Sequence, residues 1–237
     1  MSSKVKASAS VRITSGIPGL DNLIDGGFVS GSIILVTGAT GTGKTTFCAQ
    51  YLMEGLKKGE PCIYITLEES PEEIKHDMKM FGLNFDKYEK SGLFKIFHHN
   101  PFEVSDISSL LSDEINEMKA KRVVLDPVSL IGMYVSHPAV LRKRMVEIAK
   151  ALKRTDATVI ITSEIEEEQK GLSRFGVVEF VVDVVIVMQY LDIGEQSFGN
   201  LQIRKMRRTK HAHGWFPLDI VRSGLKVSKE GVSTVMK

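Results

Sequence analysis

Apolar and polar positions follow two regimes along this chain. Between about residues 33 and 163, short apolar runs bounded by turn residues alternate with longer stretches of helical period. Ile33-Ile34-Leu35-Val36, Pro61 to Leu67, Phe94 to Phe97, Arg122 to Asp126 and Thr158 to Ser163 read as strands. Thr46 to Lys58, Pro71 to about Phe81, Ser105 to Met118 and Pro138 to Lys153 read as helices, and in the third Ile107, Leu110, Leu111, Ile115 and Met118 form one apolar stripe. Ser70-Pro71-Glu72-Glu73 combines a serine N-cap, proline at the first helical position and a capping-box glutamate, and Gly82 provides the C-terminal stop. Strands that are apolar at nearly every position are buried on both faces. They predict a mostly parallel sheet with helices on both sides.

The pattern changes on either side of this block. From Val11 to Ser32 the chain carries Gly16, Gly19, Gly26, Gly27 and Gly31, with Ile17, Leu20, Leu23 and Ile24 at helical spacing. A short amphipathic helix ended by Gly26-Gly27 is expected there. In the last third, Val181 to Met188, Gly199 to Arg207 and Trp215 to Ile220 read as strands with little helix between them, so antiparallel strands are expected at the sheet edge. The fold class is therefore α/β, as one domain over residues 1–237 with residues 1–10 a flexible arm.

Composition changes this picture little. With 43% hydrophobic and 25% charged residues the chain is ordinary for a soluble globular protein, and a formal net charge of +2 does not by itself argue for nucleic acid or an anionic membrane. The most apolar stretch, Val177 to Met188, is broken by Glu179 and Asp183 and is too short to span a bilayer, so no membrane partner is expected. Met1 to Ser10 has no apolar core and reads as neither signal peptide nor anchor. Cys48 and Cys62 show no CxxC spacing, which fits a reduced, cytoplasmic protein. His76, His98, His99 and His137 have no metal-ligand spacing.

The chemistry is concentrated in Gly38-Ala39-Thr40-Gly41-Thr42-Gly43-Lys44-Thr45, followed by Thr46: glycine, four residues, then Gly-Lys-Thr, between an apolar strand and a helix. That context is what a phosphate-binding loop requires. Glycines allow the backbone to form a concave nest of inward N–H groups, and the following helix adds the positive end of its dipole. Lys44 would contact the β and γ phosphates and the Thr45 hydroxyl would ligate Mg²⁺. Ligands of parallel α/β sheets bind at the C-terminal ends of the strands. Two further polar clusters fall at such ends, Glu68-Glu69 and Asp126. Asp126 fits the carboxylate that holds Mg²⁺. One of Glu68 and Glu69 would orient or deprotonate the attacking water, and adjacent carboxylates tend to raise one pKa.

The densest basic cluster is Arg204 to His211. Period-two alternation from Leu201 would put Leu201, Ile203, Lys205 and Arg207 on one face, with Gln202, Arg204, Met206 and Arg208 on the other. Lys205 and Arg207 would then form a phosphate-sensing pair. The same cluster reads alternatively as a nucleic-acid patch or a solvated strand end.

With these residues in view, the chain resembles a single-domain member of the KaiC-like branch of the RecA-type P-loop ATPases. The resemblance runs from about Arg12 to Leu225 and rests on TSGIPGLDNLIDGG, GATGTGKT, TLEES-P, RVVLDPVSL, SRFGVVEFVVD and KMRRTKH. It implies a RecA-like core that forms homo-oligomeric rings, usually hexamers, with ATP between neighbours, although the residues themselves do not distinguish ATP from GTP. By the same resemblance Lys205 and Arg207 reach the γ phosphate on the adjacent subunit. Glu68 and Glu69 match the catalytic pair, Ser163 matches a position that senses nucleotide state, and the loop near Arg174 matches one facing the ring centre. The family pattern commonly has glycine where this chain has Arg208. Cyanobacterial clock members have two such domains, one of them an autokinase; this chain has room for one, so a clock role is not carried over. A nucleotide-switched regulator of DNA or of a signalling protein, and an autokinase, stand as alternatives to a plain ATPase.

Overall fold

A computed structural model describes residues 10–101, 106–133, 135, 137–165, 171–193 and 196–229. The expected N-terminal arm, apart from residue 10, lies outside them. The lead-in begins with β1 (Arg12–Ile13), continues through α1 (Leu20–Leu23) and ends in β2 (Phe28–Val29). β1 and β2 pair antiparallel as a separate ribbon that the sequence pattern does not predict. The expected helix is a single turn, yet Ile17, Leu20, Leu23 and Ile24 are all buried, so the apolar spacing marks packing correctly.

The core then runs β3 (Ile33–Gly38), α2 (Lys44–Lys57), β4 (Cys62–Thr66), α3 (Pro71–Met80), α4 (Asp86–Lys90), β5 (Phe94–His98), α5 (Ile107–Met118), β6 (Arg122–Asp126), α6 (Ser129–Met133), α7 (Pro138–Lys153) and β7 (Thr158–Glu164). It closes with α8 (Val178–Val181), β8 (Val184–Ile193), β9 (Gln196–Met206), β10 (Phe216–Val221) and β11 (Gly224–Val227). α3 starts where its local chemistry dictates: the Ser70 hydroxyl accepts from the Glu73 N–H while the Glu73 carboxylate accepts from the Ser70 N–H.

Among the described residues nine strands form one sheet in the order β11-β10-β9-β8-β3-β7-β6-β4-β5. The six from β8 to β5 are parallel, and β9, β10 and β11 add an antiparallel edge. The expected antiparallel edge is thus present but starts one strand later, because β8 lies parallel to β3. Alternate side chains of the central strands feed two cores, as period two requires. Ile34, Val36, Tyr64 and Val124 face α2 and α3, while Ile33, Leu35, Ile65 and Leu125 face α5 and α7.

One buried ion ties the layers together. Arg122, at the start of β6, reaches Glu60 at 2.5 Å and donates to the carbonyls of Thr14 at 2.7 Å and Tyr51 at 3.0 Å. Its guanidinium lies 4.8 Å from the centre of the Tyr51 ring. The lead-in, α2 and the strand that ends in Asp126 share this one side chain. Gly55 leaves room for it, since a Cβ there would sit 2.5 Å from the Arg122 side chain.

Candidate functional site

β3, β4, β6 and β7 all end at one edge of the sheet, and the polar residues at those ends border a single cavity of about 390 Å³. Thr40, Gly41, Gly43, Lys44, Thr45 and Thr46 form one wall, Glu68 and Glu69 another, and Asp126 lies between them. The three clusters expected at strand ends therefore converge. The loop's shape follows from its glycines: Gly41 and Gly43 have φ of +80° and +91°, the left-handed region. Gly38 has a different constraint, because a Cβ there would lie 2.2 Å from the Met188 carbonyl oxygen on β8. Gly43 is the N-cap of α2 and contributes no side-chain cap, which leaves the first N–H groups of that helix to an anion.

Lys44 folds back over the loop, donating to the carbonyls of Gly38 at 3.0 Å and Ala39 at 2.9 Å. Thr42 is buried and donates to Ala39 O at 2.8 Å, so it shapes the loop from within. Burial holds the Lys44 ammonium below its ordinary pKa, opposed by the carboxylates of Glu164, Asp126 and Glu68. Thr45 Oγ1 lies 3.4 Å from Asp126 Oδ2. A hydroxyl and a carboxylate on the cavity floor make a hard-oxygen donor set, which fits Mg²⁺.

Glu68 and Glu69 follow a backbone turn pinned by Thr66, whose hydroxyl donates to Glu69 O at 2.8 Å and accepts from Glu68 N at 3.2 Å. Both carboxyls are raised, and burial is the largest cause for each. For Glu68 the next causes are the charges of Glu164 and Asp126, with Lys44 and Arg174 opposing. For Glu69 they are Asp126, Asp77 and Glu68. Adjacency of the pair is thus a lesser contribution than their shared surroundings.

Glu164, at the end of β7, lines the cavity and pairs with Arg174 at 3.3 Å. The sequence reading stops that strand at Ser163 and misses it, although the rule that ligands gather at C-terminal strand ends points there. Ser163 itself accepts from the Arg174 N–H at 3.5 Å, one residue from the cavity wall. Phe81 and Ile220 also border the cavity; they arrive from the C-cap of α3 and from β10 through tertiary packing and carry no local signal.

Lys205 and Arg207 do not join this cavity. β8 and β9 are paired with a register shift between Val185 and Ile186: Ile186 is opposite Ile203 and Val185 is opposite Lys205, leaving Arg204 as the extra residue. Strict alternation therefore fails at Arg204. Leu201, Ile203 and Met206 share one core, and Lys205 falls opposite Val185, whose side chain belongs to the other. This corrects the expectation that Lys205 continues the face of Leu201 and Ile203. The pair stays together on the opposite face, where Lys205 donates to the carbonyls of Glu179 at 2.9 Å and Val182 at 2.7 Å. Burial and then the neighbouring Arg207 hold its ammonium below the ordinary value.

Both residues lie toward the far end of the parallel strands. Leu35 and Lys205 are level with Val185, and the Arg207 N–H bonds Asp183 O just before β8 begins. At ~3.3 Å per residue, Lys205 is about 10 Å and Arg207 about 16 Å below Gly38 along the strands. Arg208, where the resemblance leads one to expect glycine, has φ of +60°. The backbone there keeps the conformation that glycine favours, and the side chain lies 4.0 Å from Asp183.

A family model described as the KaiC ATPase matches residues 13–232. The chain belongs to the KaiC ATPase family. It is 31% identical to a UPF0273 protein of Methanopyrus kandleri, with 93% of each chain covered. It is 33% identical to a UPF0273 protein of Pyrococcus furiosus, covering 93% of this chain and 95% of that one. The circadian clock protein KaiC3 of a Synechocystis species is 31% identical over 89% of this chain, which spans 44% of that longer protein. Among solved structures, a KaiC-like protein of Pyrococcus horikoshii matches with a TM-score of 0.85 and 35% identity over 93% of this chain and all of that one. The α/β architecture is thus a KaiC-like RecA fold, and the family is one of ATPases, with which nucleotide binding goes. Among the described residues no helix is long and apolar enough to cross a membrane.

Proposed function

We propose that this KaiC-family member is a single-domain, Mg²⁺-dependent ATPase that works as a homo-oligomeric ring with nucleotide at subunit interfaces. The loop from Gly38 to Thr46 cradles the phosphates, and Lys44 leaves its carbonyl partners to meet the β and γ oxygens. Thr45 and Asp126 would hold Mg²⁺, which when bound would supply positive charge beside the phosphates. Glu68 or Glu69, each with its pKa raised first by burial, orients and deprotonates the attacking water. Lys205 and Arg207 supply the cations on the far side of the γ phosphate from the neighbouring subunit, the trans role of an arginine finger.

The observation that carries this reading is a mismatch of position. The phosphate loop and its carboxylates border one cavity, while the two cations lie about 10–16 Å down the same sheet and on its other end. A cation that cannot reach its own subunit's phosphates is suited to serving the next one. The test is ATP turnover of Lys44→Ala and of the Glu68→Gln/Glu69→Gln double variant, together with particle mass with and without ATP and Mg²⁺. Undiminished turnover in both variants removes the catalytic assignment. A particle that stays monomeric in ATP and Mg²⁺ removes the trans assignment.

A second reading is favoured by one observation: Arg204, Arg207, Arg208 and Lys210 are all exposed around the bulge and the turn after β9. Such a cluster suits a polyanion, with hydrolysis resetting a DNA-bound state. It predicts ATP-dependent, salt-sensitive retention of DNA that weakens when Arg204 and Arg208 are neutralised. Absence of ATP-dependent retention counts against it.

A further inference from the structure

Asp126 is gripped from both flanking strands. β6 lies between β4 and β7, and Tyr64 from β4 and Thr162 from β7 both reach the carboxylate. The Tyr64 phenol donates to Oδ2 and the Thr162 hydroxyl donates to Oδ1. Tyr64 is 1% exposed and Thr162 fully buried. Buried hydroxyls need acceptors in any fold. Here two of them, from different strands, take the same carboxylate and divide its oxygens between them.

That division has a mechanical consequence. The terminal torsion of an aspartate is broad and roughly two-fold, so a carboxylate at the end of a strand can turn freely unless both oxygens are held. An ionised carboxylate only accepts, and each donor leaves further lone-pair positions on its oxygen. With Oδ1 held by Thr162 and Oδ2 by Tyr64, the plane is fixed with Oδ2 on the side of Thr45. We propose that Tyr64 and Thr162 are positioning residues that lock the Asp126 carboxylate in the orientation in which it shares a divalent cation with Thr45. The inference rests on the metal-binding role given to Asp126 and Thr45 above. It adds a shell outside the cation, where partners that orient a ligand commonly change metal affinity by ~10–100-fold.

The test uses the full chain with Mn²⁺ as the probe, its binding followed by electron paramagnetic resonance in the presence of ATP. ATP affinity without metal is measured in EDTA, and thermal unfolding without nucleotide reports folding. Tyr64→Phe and Thr162→Val are each expected to weaken Mn²⁺ binding about 10-fold while metal-free ATP affinity stays within about 2-fold. Thr162→Ser, which keeps the hydroxyl, restores Mn²⁺ binding. Asp126→Asn loses it. Wild-type Mn²⁺ affinity in both Tyr64→Phe and Thr162→Val, beside a loss in Asp126→Asn, overturns the positioning role and leaves the metal assignment standing. No Mn²⁺ binding by the unaltered chain with ATP overturns both. Should Tyr64→Phe fail to fold, the contrast between Thr162→Val and Thr162→Ser decides: equal affinities overturn the inference, and loss with rescue supports it.

Discussion

Arg122 is the largest of the side chains buried almost completely among the described residues, and replacing it with methionine removes a charge while keeping a long apolar stem. Two carbonyls, the part-buried one of Thr14 and the buried one of Tyr51, lose their donor. Hydrogen bonds to a charged group contribute about 1.5–3 kcal/mol each, so these two set a gross loss of about 3–6 kcal/mol. Two effects reduce it. The guanidinium no longer has to be desolvated, and the Glu60 side chain, 26% exposed, can turn to water. A net cost of about 3–4 kcal/mol remains, within the range for breaking a buried ion pair. For a chain of this length each kcal/mol shifts Tm by about 2–4 °C. Arg122→Met is thus expected to unfold about 6–16 °C below the unaltered chain by circular dichroism, at low and moderate salt alike, because buried charges are weakly screened. Arg122→Lys, with the charge but no fork, should fall between the two. A Tm of Arg122→Met within about 2 °C of the unaltered chain would refute the claim that this side chain holds the lead-in, α2 and β6 together.

Glu164→Gln identifies the base. A base works deprotonated, so a raised pKa moves the acid limb of kcat/KM upward. Burial and then Glu164 raise Glu68, whereas burial, then Asp126 and then Asp77 raise Glu69. If Glu68 is the base, Glu164→Gln shifts the limb to lower pH and Asp77→Asn leaves it in place; the reverse pattern assigns Glu69. Gly38→Ala forces a Cβ onto the Met188 carbonyl of a central strand. ATP binding by fluorescence should weaken at least 10-fold, with a stability loss of about 1–3 kcal/mol or more, and unchanged affinity would contradict the loop geometry. Asp183 is buried; burial would raise its carboxyl, but the Lys153 ammonium, the Ile33 N–H and Arg208 together hold it below its ordinary value. Its stabilisation is present above the unfolded pKa of about 3.9 and is lost as pH falls through the lower folded value. Asp183→Asn should therefore lower the unfolding free energy at pH 7 and flatten its fall in acid, as urea titrations at several pH values would register.

What could be read from the residues was what local chemistry decides. β6 and α7 coincide with their expected bounds because an apolar run ending in Asp126 and a proline at the first helical turn are complete signals within a few residues. The loop from Gly38 to Thr46 and the three carboxylates were legible for the same reason, as letters with a mechanism at strand ends. Pairing between strands was not. The extra residue at Arg204 arises from how β8 and β9 meet, and it alone moves Lys205 to the other face. β11 has four residues, too few for periodicity to speak, and it is held by Gln50, whose amide exchanges hydrogen bonds with the backbone of Leu225. Tyr64 and Thr162 carry no local signal, and only the order β4-β6-β7 sets them on either side of Asp126. Arg208 stands where the resemblance leads one to expect glycine, and its left-handed backbone gives that glycine its reason.

The central claim is that one subunit's loop works with the next subunit's cations. Lys44→Ala has intact cations and a disabled loop, while Lys205→Ala has the converse, and each alone should turn over ATP slowly. Mixed in equal amounts and allowed to reassemble with ATP and Mg²⁺, the two should recover about a quarter of the unaltered rate, the fraction of interfaces at which random assembly sets an intact loop against an intact lysine. A mixture no faster than the average of its two inactive parts would contradict the account.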